Sequence, residues 1–352
     1  MAQALDFPWL ERPLNEALRT RRAHALLVHG AQGIGQFELA LALAQAWLCD
    51  TPDAPSGRTR PCGICASCRL MQSRSHPDLL VVLPEALREP LGWAAEQGDD
   101  AGADKASKAK PSKEIKVDAV RAVVAFAQTS SARGRGKVVL LYPAERMNAV
   151  AANTLLKTLE EPPGEARFVL ASAAPDALLP TIRSRCQALS LAAPPADEAL
   201  AWLKGKGVAQ PEVLLRASGG QPLDVLDWAA QGVNAELWAS LPHLVASGDG
   251  TALSNWPLPR LVDALQKLCH DLQCVAVGAA PRYFAQVPRM PRTGLPALSD
   301  WARSLGLAAR QAEHPWHQAL MLEALLQRGQ AVLAAAGAAR TVGSIDSLHS
   351  GA

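Results

Sequence analysis

The sequence predicts an α/β fold, a parallel sheet core followed by an all-helical remainder, and three observations carry that prediction. Five short, β-rich apolar runs occur up to Leu191, helix-period segments lie between them, and the strand signal fades after Leu191. Runs that are apolar throughout, rather than alternating, are what strands buried on both faces of a parallel sheet look like. Strands alternating with helices give the layers of an α/β fold.

The first strand is expected at Ala25–His29. Behind it comes Gly30-Ala31-Gln32-Gly33-Ile34-Gly35-Gln36-Phe37 and then an amphipathic run, Glu38–Leu48. Strand, turn and helix in that order, with Gly30, Gly33 and Gly35, match the nucleotide-binding loop G-x-x-x-x-G-K-[ST]. Gln36 stands where the phosphate-binding lysine belongs and Phe37 where the metal-binding hydroxyl belongs. The lysine gives the β- and γ-phosphates a point charge, and the hydroxyl holds the metal that neutralises charge during transfer. A neutral amide and a phenyl ring do neither, so neither hydrolysis nor bound ATP is expected, although N–H groups at a helix N-terminus still attract anions weakly.

Next comes a cysteine cluster, Cys49, Cys62, Cys65 and Cys68, spaced C-x12-C-x2-C-x2-C. Four thiolates at these separations can close a tetrahedral zinc site with no open position, a structural rather than a catalytic metal. Gly63 eases the turn between ligands, and Arg58, Arg60 and Arg69 can offset the thiolate charge. A redox C-x-x-C pair is the alternative, and three close cysteines with a fourth upstream fit it less well. Seven cysteines is an odd count that excludes a disulfide framework. Cys186, Cys269 and Cys274, in apolar contexts, read as small core residues.

A second strand is expected at Asp78–Leu83. Residues 87–114 are polar and of mixed charge, with Glu96, Asp99 and Asp100 ahead of Lys105, Lys108, Lys110 and Lys113. They read as a flexible surface loop without a functional role. A helix at Val117–Gln128 leads to a strand at Lys137–Tyr142. In a working ATPase that strand runs into acidic residues that organise magnesium and water. Here it runs into Tyr142-Pro143-Ala144, with Glu145 displaced. A helix at Ala149–Glu161 is stopped by Pro162-Pro163, and strands follow at Arg167–Ser172 and Gln187–Leu191. After a hinge at Ala192–Pro195, short helices are expected at Asp197–Lys204, Pro211–Ala217 and Pro222–Trp228. From Asn234 to Ala338 the pattern is helical, with long amphipathic stretches at Leu258–Val277 and His317–Ala336. Thr341–Ala352 reads as a loose tail.

With 352 residues, 49% hydrophobic and 19% charged, the chain can bury two or three cores. A net charge of +2 argues against a protein held on nucleic acid by its overall field. Two tyrosines and five phenylalanines give little support to a base-stacking platform. No apolar stretch is long enough to cross a bilayer, and Met1–Asp6 lacks the basic start of an export signal, so a cytoplasmic protein is expected.

Two further stretches carry a resemblance: Leu155-Leu156-Lys157-Thr158-Leu159-Glu160-Glu161-Pro162-Pro163 and Thr181-Ile182-Arg183-Ser184-Arg185-Cys186. With the altered phosphate loop, the lost acids, the four cysteines, Phe7-Pro8-Trp9-Leu10 and Ser75-His76-Pro77-Asp78, the chain resembles bacterial clamp-loader subunits of the AAA+ class. The likeness is to their delta prime family and covers about residues 1–230 through motifs. It implies an AAA+ core (1–193) with a zinc-binding insertion (49–68) and the loop 87–114, a small helical lid (194–233), an all-α collar (234–340) and a tail (341–352). It also implies that Arg185 is an arginine finger inserted in trans into a neighbour's ATP site. The residues alone leave Arg185 open between that role and capping a helix or pairing with a carboxylate. Arg183 is not carried over. Ala217–Pro222 holds no arginine where a sensor of the γ-phosphate would stand, although Arg216 is close. The implied partners are ATP-hydrolysing motor subunits and a delta subunit in a hetero-oligomer, with a sliding clamp and primed DNA as the substrates of the assembly and no membrane. Any polymerase activity belongs to the complex. Two other readings stay open: an active ATPase using Glu145 for metal and Lys157 for phosphate, and a zinc-dependent nucleic-acid-binding module using the arginines near Cys62–Cys68.

Overall fold

The structure is a computed structural model. It describes residues 6–20, 23–51, 60–93, 111–290, 292–312, 314 and 317–342, with side chains to residue 334. The chain divides into two compact units, Met1–Glu198 and Ala199–Ala352.

The first unit is built on a five-stranded parallel sheet: β1 (Ala25–His29), β2 (Leu79–Val82), β3 (Lys137–Leu141), β4 (Ala166–Ser172) and β5 (Gln187–Ser190). Their order is β2-β3-β4-β1-β5, so β1 lies between β4 and β5 and both flank the loop that leaves it. All five expected strands are present, β1 with its expected bounds and the others with ends moved by one residue at most. The three inner strands, β1, β3 and β4, are buried almost throughout, which explains their unbroken apolar runs. The edge strands β2 and β5 are only half-buried, because no neighbour covers their outer side. Alternate residues serve the two faces. Leu27, Val139, Leu141, Phe168 and Leu170 meet α5 (Val117–Gln128) and α6 (Ala149–Glu160) through Val120, Val123, Leu155 and Leu159. On the other face Val138 meets Ala44 and Leu48 of α2 (Gln36–Leu48) and Met71 of α3 (Ala66–Gln72).

Several elements were not expected. α1 (Glu11–Thr20) buries only Leu14 and Ala17, α3 starts where the Cys65 side chain accepts the Cys68 N–H, and α4 (Glu85–Arg88) and α7 (Pro180–Arg183) are single turns. Part of the expected loop 87–114 is ordered: the Glu85 carboxylate accepts the Ser112 N–H at 3.0 Å and pairs with Lys116 at 3.0 Å. Residues 94–110, with Lys105, Lys108 and Lys110, lie outside the described residues, as does Arg58.

The second unit is helical: α8 (Ala196–Gly205), in which the boundary falls, α9 (Pro211–Ser218), α10 (Pro222–Ala230), α11 (Ala235–Ser247), α12 (Leu258–Ala276), α13 (Leu295–Gln311) and α14 (Gln318–Val342). α14 carries the last expected helix beyond Ala336 to Val342, and the remainder of the tail lies outside the described residues. Ala217, Trp228 and Val233 belong to the same core as Trp238, Leu265, Phe284 and Leu326. At its centre Trp238 stacks on Trp228 at 5.2 Å and on Phe284 at 4.8 Å. The buried Asp271 accepts the N–H groups of Arg282, Tyr283 and Phe284, fixing the chain that follows α12.

Candidate functional site

The loop between β1 and α2 is held from both sides. Gly30 has no room for a side chain, since a Cβ there would lie 2.4 Å from the Leu191 carbonyl. Gly35 has φ +105°, and its Cβ would meet Leu10 at 2.9 Å. The indole N–H of Trp9 donates to the Ile34 carbonyl at 2.8 Å, so the Phe7–Leu10 motif braces the loop. Inside it, the buried Gln36 amide donates to the carbonyl of Gly30 at 2.9 Å and to that of Ala31. The residue in the lysine position is thus spent on the loop's own backbone. Phe37, also buried, packs on Tyr142 with ring centroids 5.1 Å apart. Phe37 of the loop therefore meets the residue that follows β3. Glu145 accepts the Ala173 N–H at 3.2 Å. Lys157 is exposed on α6, across the sheet from α2.

The four expected cysteines come together, with all four sulfurs within 4.8 Å of one another. Cys49 and Cys65 Sγ are 3.8 Å apart, and Cys62 and Cys68 Sγ 3.9 Å. Zinc with Zn–S bonds of about 2.3 Å sets tetrahedral sulfurs about 3.8 Å apart, so the donor set fits that ion. The N–H groups of Cys65 and Cys68 point at Cys62 and Cys65 Sγ, both at 3.4 Å. Burial raises the Cys62 thiol, but bonds from Thr51, Ile64 and Cys65 outweigh it and bring its pKa to about 6. Burial pushes Cys65 and Cys68 up.

Cations beyond those expected also reach this cluster. The Arg60 Nε donates to the Thr51 carbonyl and Arg69 is exposed, whereas Arg133 and Arg135 reach in from the loop before β3. Arg133 donates to Ser67 Oγ at 2.8 Å and to Asp50 at 3.1 Å, and Arg135 to the Asp50 carbonyl at 2.7 Å. Asp50 in turn accepts the N–H and hydroxyl of Ser67. Burial opposes its ionisation, but Ser67 and Arg133 outweigh it and hold its pKa down to about 2. Asp78 anchors the same loop, taking the N–H groups of Ala132 and Arg133 and the Ser131 hydroxyl at 2.8–3.0 Å, with Lys137 3.5 Å away. Asp50 and Arg133 were missed in the sequence, where nothing but their partners distinguishes them from surface charges. Asp78 was legible only as part of Ser75–Asp78.

Arg185 follows α7. Its Nε donates to Glu160 Oε1 at 2.6 Å and its Nη2 to the same oxygen, while Nη1 donates to the Thr181 carbonyl at 2.9 Å. The carboxylate pairing that the residues had left open is therefore present within the chain. Arg183 pairs with Asp176 at 2.5 Å. In the second unit, Arg216 donates to the carbonyls of Pro281 and Arg282 at 2.7 and 3.0 Å.

The family model described as DNA polymerase III, delta subunit matches residues 10–195. The DNA polymerase III subunit delta' of Pseudomonas aeruginosa is 37% identical over 270 residues, covering 73% of this chain and 74% of the relative. The chain belongs to the DNA polymerase III delta' family. The Escherichia coli delta' subunit is 32% identical, over 74% of this chain and 76% of the relative. Among solved structures, a DNA polymerase III gamma subunit-related protein of Thermotoga maritima aligns over 92% of this chain and 98% of its own, at 17% identity and a TM-score of 0.42. The family match spans the loop, the four cysteines, Glu160 and Arg185 of this delta' family member. Among the described residues no helix is long and apolar enough to cross a membrane.

Proposed function

We propose that this chain is the delta prime subunit of a clamp loader, a subunit that does not hydrolyse ATP but scaffolds a ring and lends Arg185 to a neighbour. The observation that carries the reading is the filled loop. Gln36 is bonded to the carbonyls of Gly30 and Ala31, and Phe37 lies on Tyr142. A loop whose lysine position turns inward gives phosphates no point charge, and a ring pair gives magnesium no oxygen. A finger needs no nucleotide in its own subunit, because a guanidinium is permanently charged and forked to match phosphate oxygens.

In this reading the chain works in the bacterial cytoplasm with ATP-hydrolysing motor subunits and a delta subunit. The assembly opens a sliding clamp and places it on primed DNA during replication. Residues 194–233 serve as the lid and 234–340 as the collar that holds the ring. Cys49, Cys62, Cys65 and Cys68 would hold zinc, which supplies a cross-link and no chemistry. The test is a complex reconstituted with Arg185→Ala: assembly is expected to persist while ATP hydrolysis stimulated by primed DNA falls by at least the share of the neighbour's site, which loses about 10³ or more with its finger. Unchanged turnover would remove the finger from the proposal.

A further inference from the structure

We infer that Glu160 is a positioning residue for Arg185, holding the guanidinium by its side edge so that its tip stays presented outward. This rests on the finger role proposed above. Arginine has five N–H donors in a planar fork. Glu160 takes Nε–H and one Nη2–H, and the Thr181 carbonyl takes one Nη1–H. Ser184 Oγ approaches Nη1 only at 3.4 Å. Among these contacts one N–H on Nη2 is left without a partner, and the Nη1–Ser184 bond is long enough to give way, so the tip of the fork can meet an oxygen of a neighbour's phosphate.

Both ends of the contact stand on rigid ground. Glu160 ends α6 next to the fully buried Leu159, and Arg185 lies between the fully buried Ile182 and the start of β5, where Gln187 is paired with Leu26 of β1. The bond between the two side chains narrows the rotamers that Arg185 samples. An arginine held in place before the ring closes loses less entropy on meeting the transition state.

Alternatively, Glu160 is a latch that must release Arg185. The side chains are 30% and 46% exposed for Arg185 and Glu160, and pairs this open are weak and screened, too weak for a lock. The bond is strong enough to bias rotamers, which is all that positioning requires.

The experiment uses the reconstituted complex with primed DNA and clamp, comparing Glu160→Ala, Glu160→Gln, Arg185→Ala and the double variant. Glu160→Ala should lower kcat for ATP by up to about fivefold with KM unchanged, the most that a pair this exposed supplies toward holding the finger for the transition state. Glu160→Gln keeps an acceptor oxygen and should restore most of that loss. In the Arg185→Ala background, removing Glu160 should add nothing, because the two act as one unit. A kcat that stays at wild-type level or rises in Glu160→Ala overturns the inference, as does a further loss in the double variant. If Arg185→Ala alone leaves turnover intact, it is the finger reading itself that fails, and the two failures are told apart.

Discussion

Asp224 shows how far a single residue can depart from its sequence appearance. In the first turn of α10 a carboxylate is ordinarily a favourable helix start. Here burial, against the partial relief of Lys267 and Arg260, raises its pKa to about 6. The Gln221 amide, turned to satisfy its bonds, donates to Asp224 Oδ2 at 2.8 Å. Below about pH 4 the group is protonated in both folded and unfolded chains and contributes nothing. Between about pH 4 and 6 the unfolded carboxyl ionises while the folded one stays protonated, so stability is lost as pH rises, and the loss is complete above that window. Asp224→Asn should match wild type in thermal denaturation at pH 4 and exceed it at pH 7 by on the order of 2 kcal/mol. An equal difference at both pH values would show an ordinary carboxyl. Gln36 and Phe37 could be read from the sequence as missing chemistry, because the loop template fixes their positions. That Phe37 meets Tyr142 could not, since the contact depends on strand order.

Among elements, the cysteine knuckle was legible and its attachment was not. Spacing alone brings Cys49, Cys62, Cys65 and Cys68 together, but Asp50, Ser67, Arg133 and Asp78 join through bonds that no local pattern announces. The cysteine cluster is thereby tied to the loop before β3. Cys62→Ser in the full chain should lower bound zinc, measured by atomic absorption. It should also speed amide exchange in residues 60–76 and 131–135 together, because metal binding is folding free energy for a segment without its own core. Exchange confined to residues 60–76 would show that Arg133 does not carry the coupling, and wild-type protein purified without zinc would refute the site. Inner strands were readable from their unbroken apolar runs and long helices from their period. α1 and α3 were not read: α1 does repeat at helical spacing through Leu14 and Ala17 but is short and largely polar, and α3 is shorter still, relying on a cysteine cap.

At the scale of the whole molecule, the sequence announced an α/β unit followed by helices, since the loss of strand signal after Leu191 is a property of long stretches. It did not show that Trp228, Trp238 and Phe284 would share one core, because stacking partners from separate helices have no common period. The proposed inability to hydrolyse ATP is likewise a property of the assembled unit, spread over the loop, α2 and the end of β3. Gln36→Lys with Phe37→Thr should therefore leave the isolated chain without phosphate release above buffer in a malachite green assay. Tyr142 and Pro143 still stand where acids would organise water. Turnover by that double variant would show that the loop alone had been limiting.

The ring contact between Phe37 and Tyr142 carries an evolutionary consequence. In the proposed reading packing takes the place of a polar cleft, and trimming a buried aromatic costs about 3 kcal/mol or more out of a total of about 5–15. Reversion by single steps would weaken the protein before any catalytic gain arrived. If the proposed reading holds, loss of this kind works as a ratchet, because the packed ring pair binds the loop to the fold's own stability.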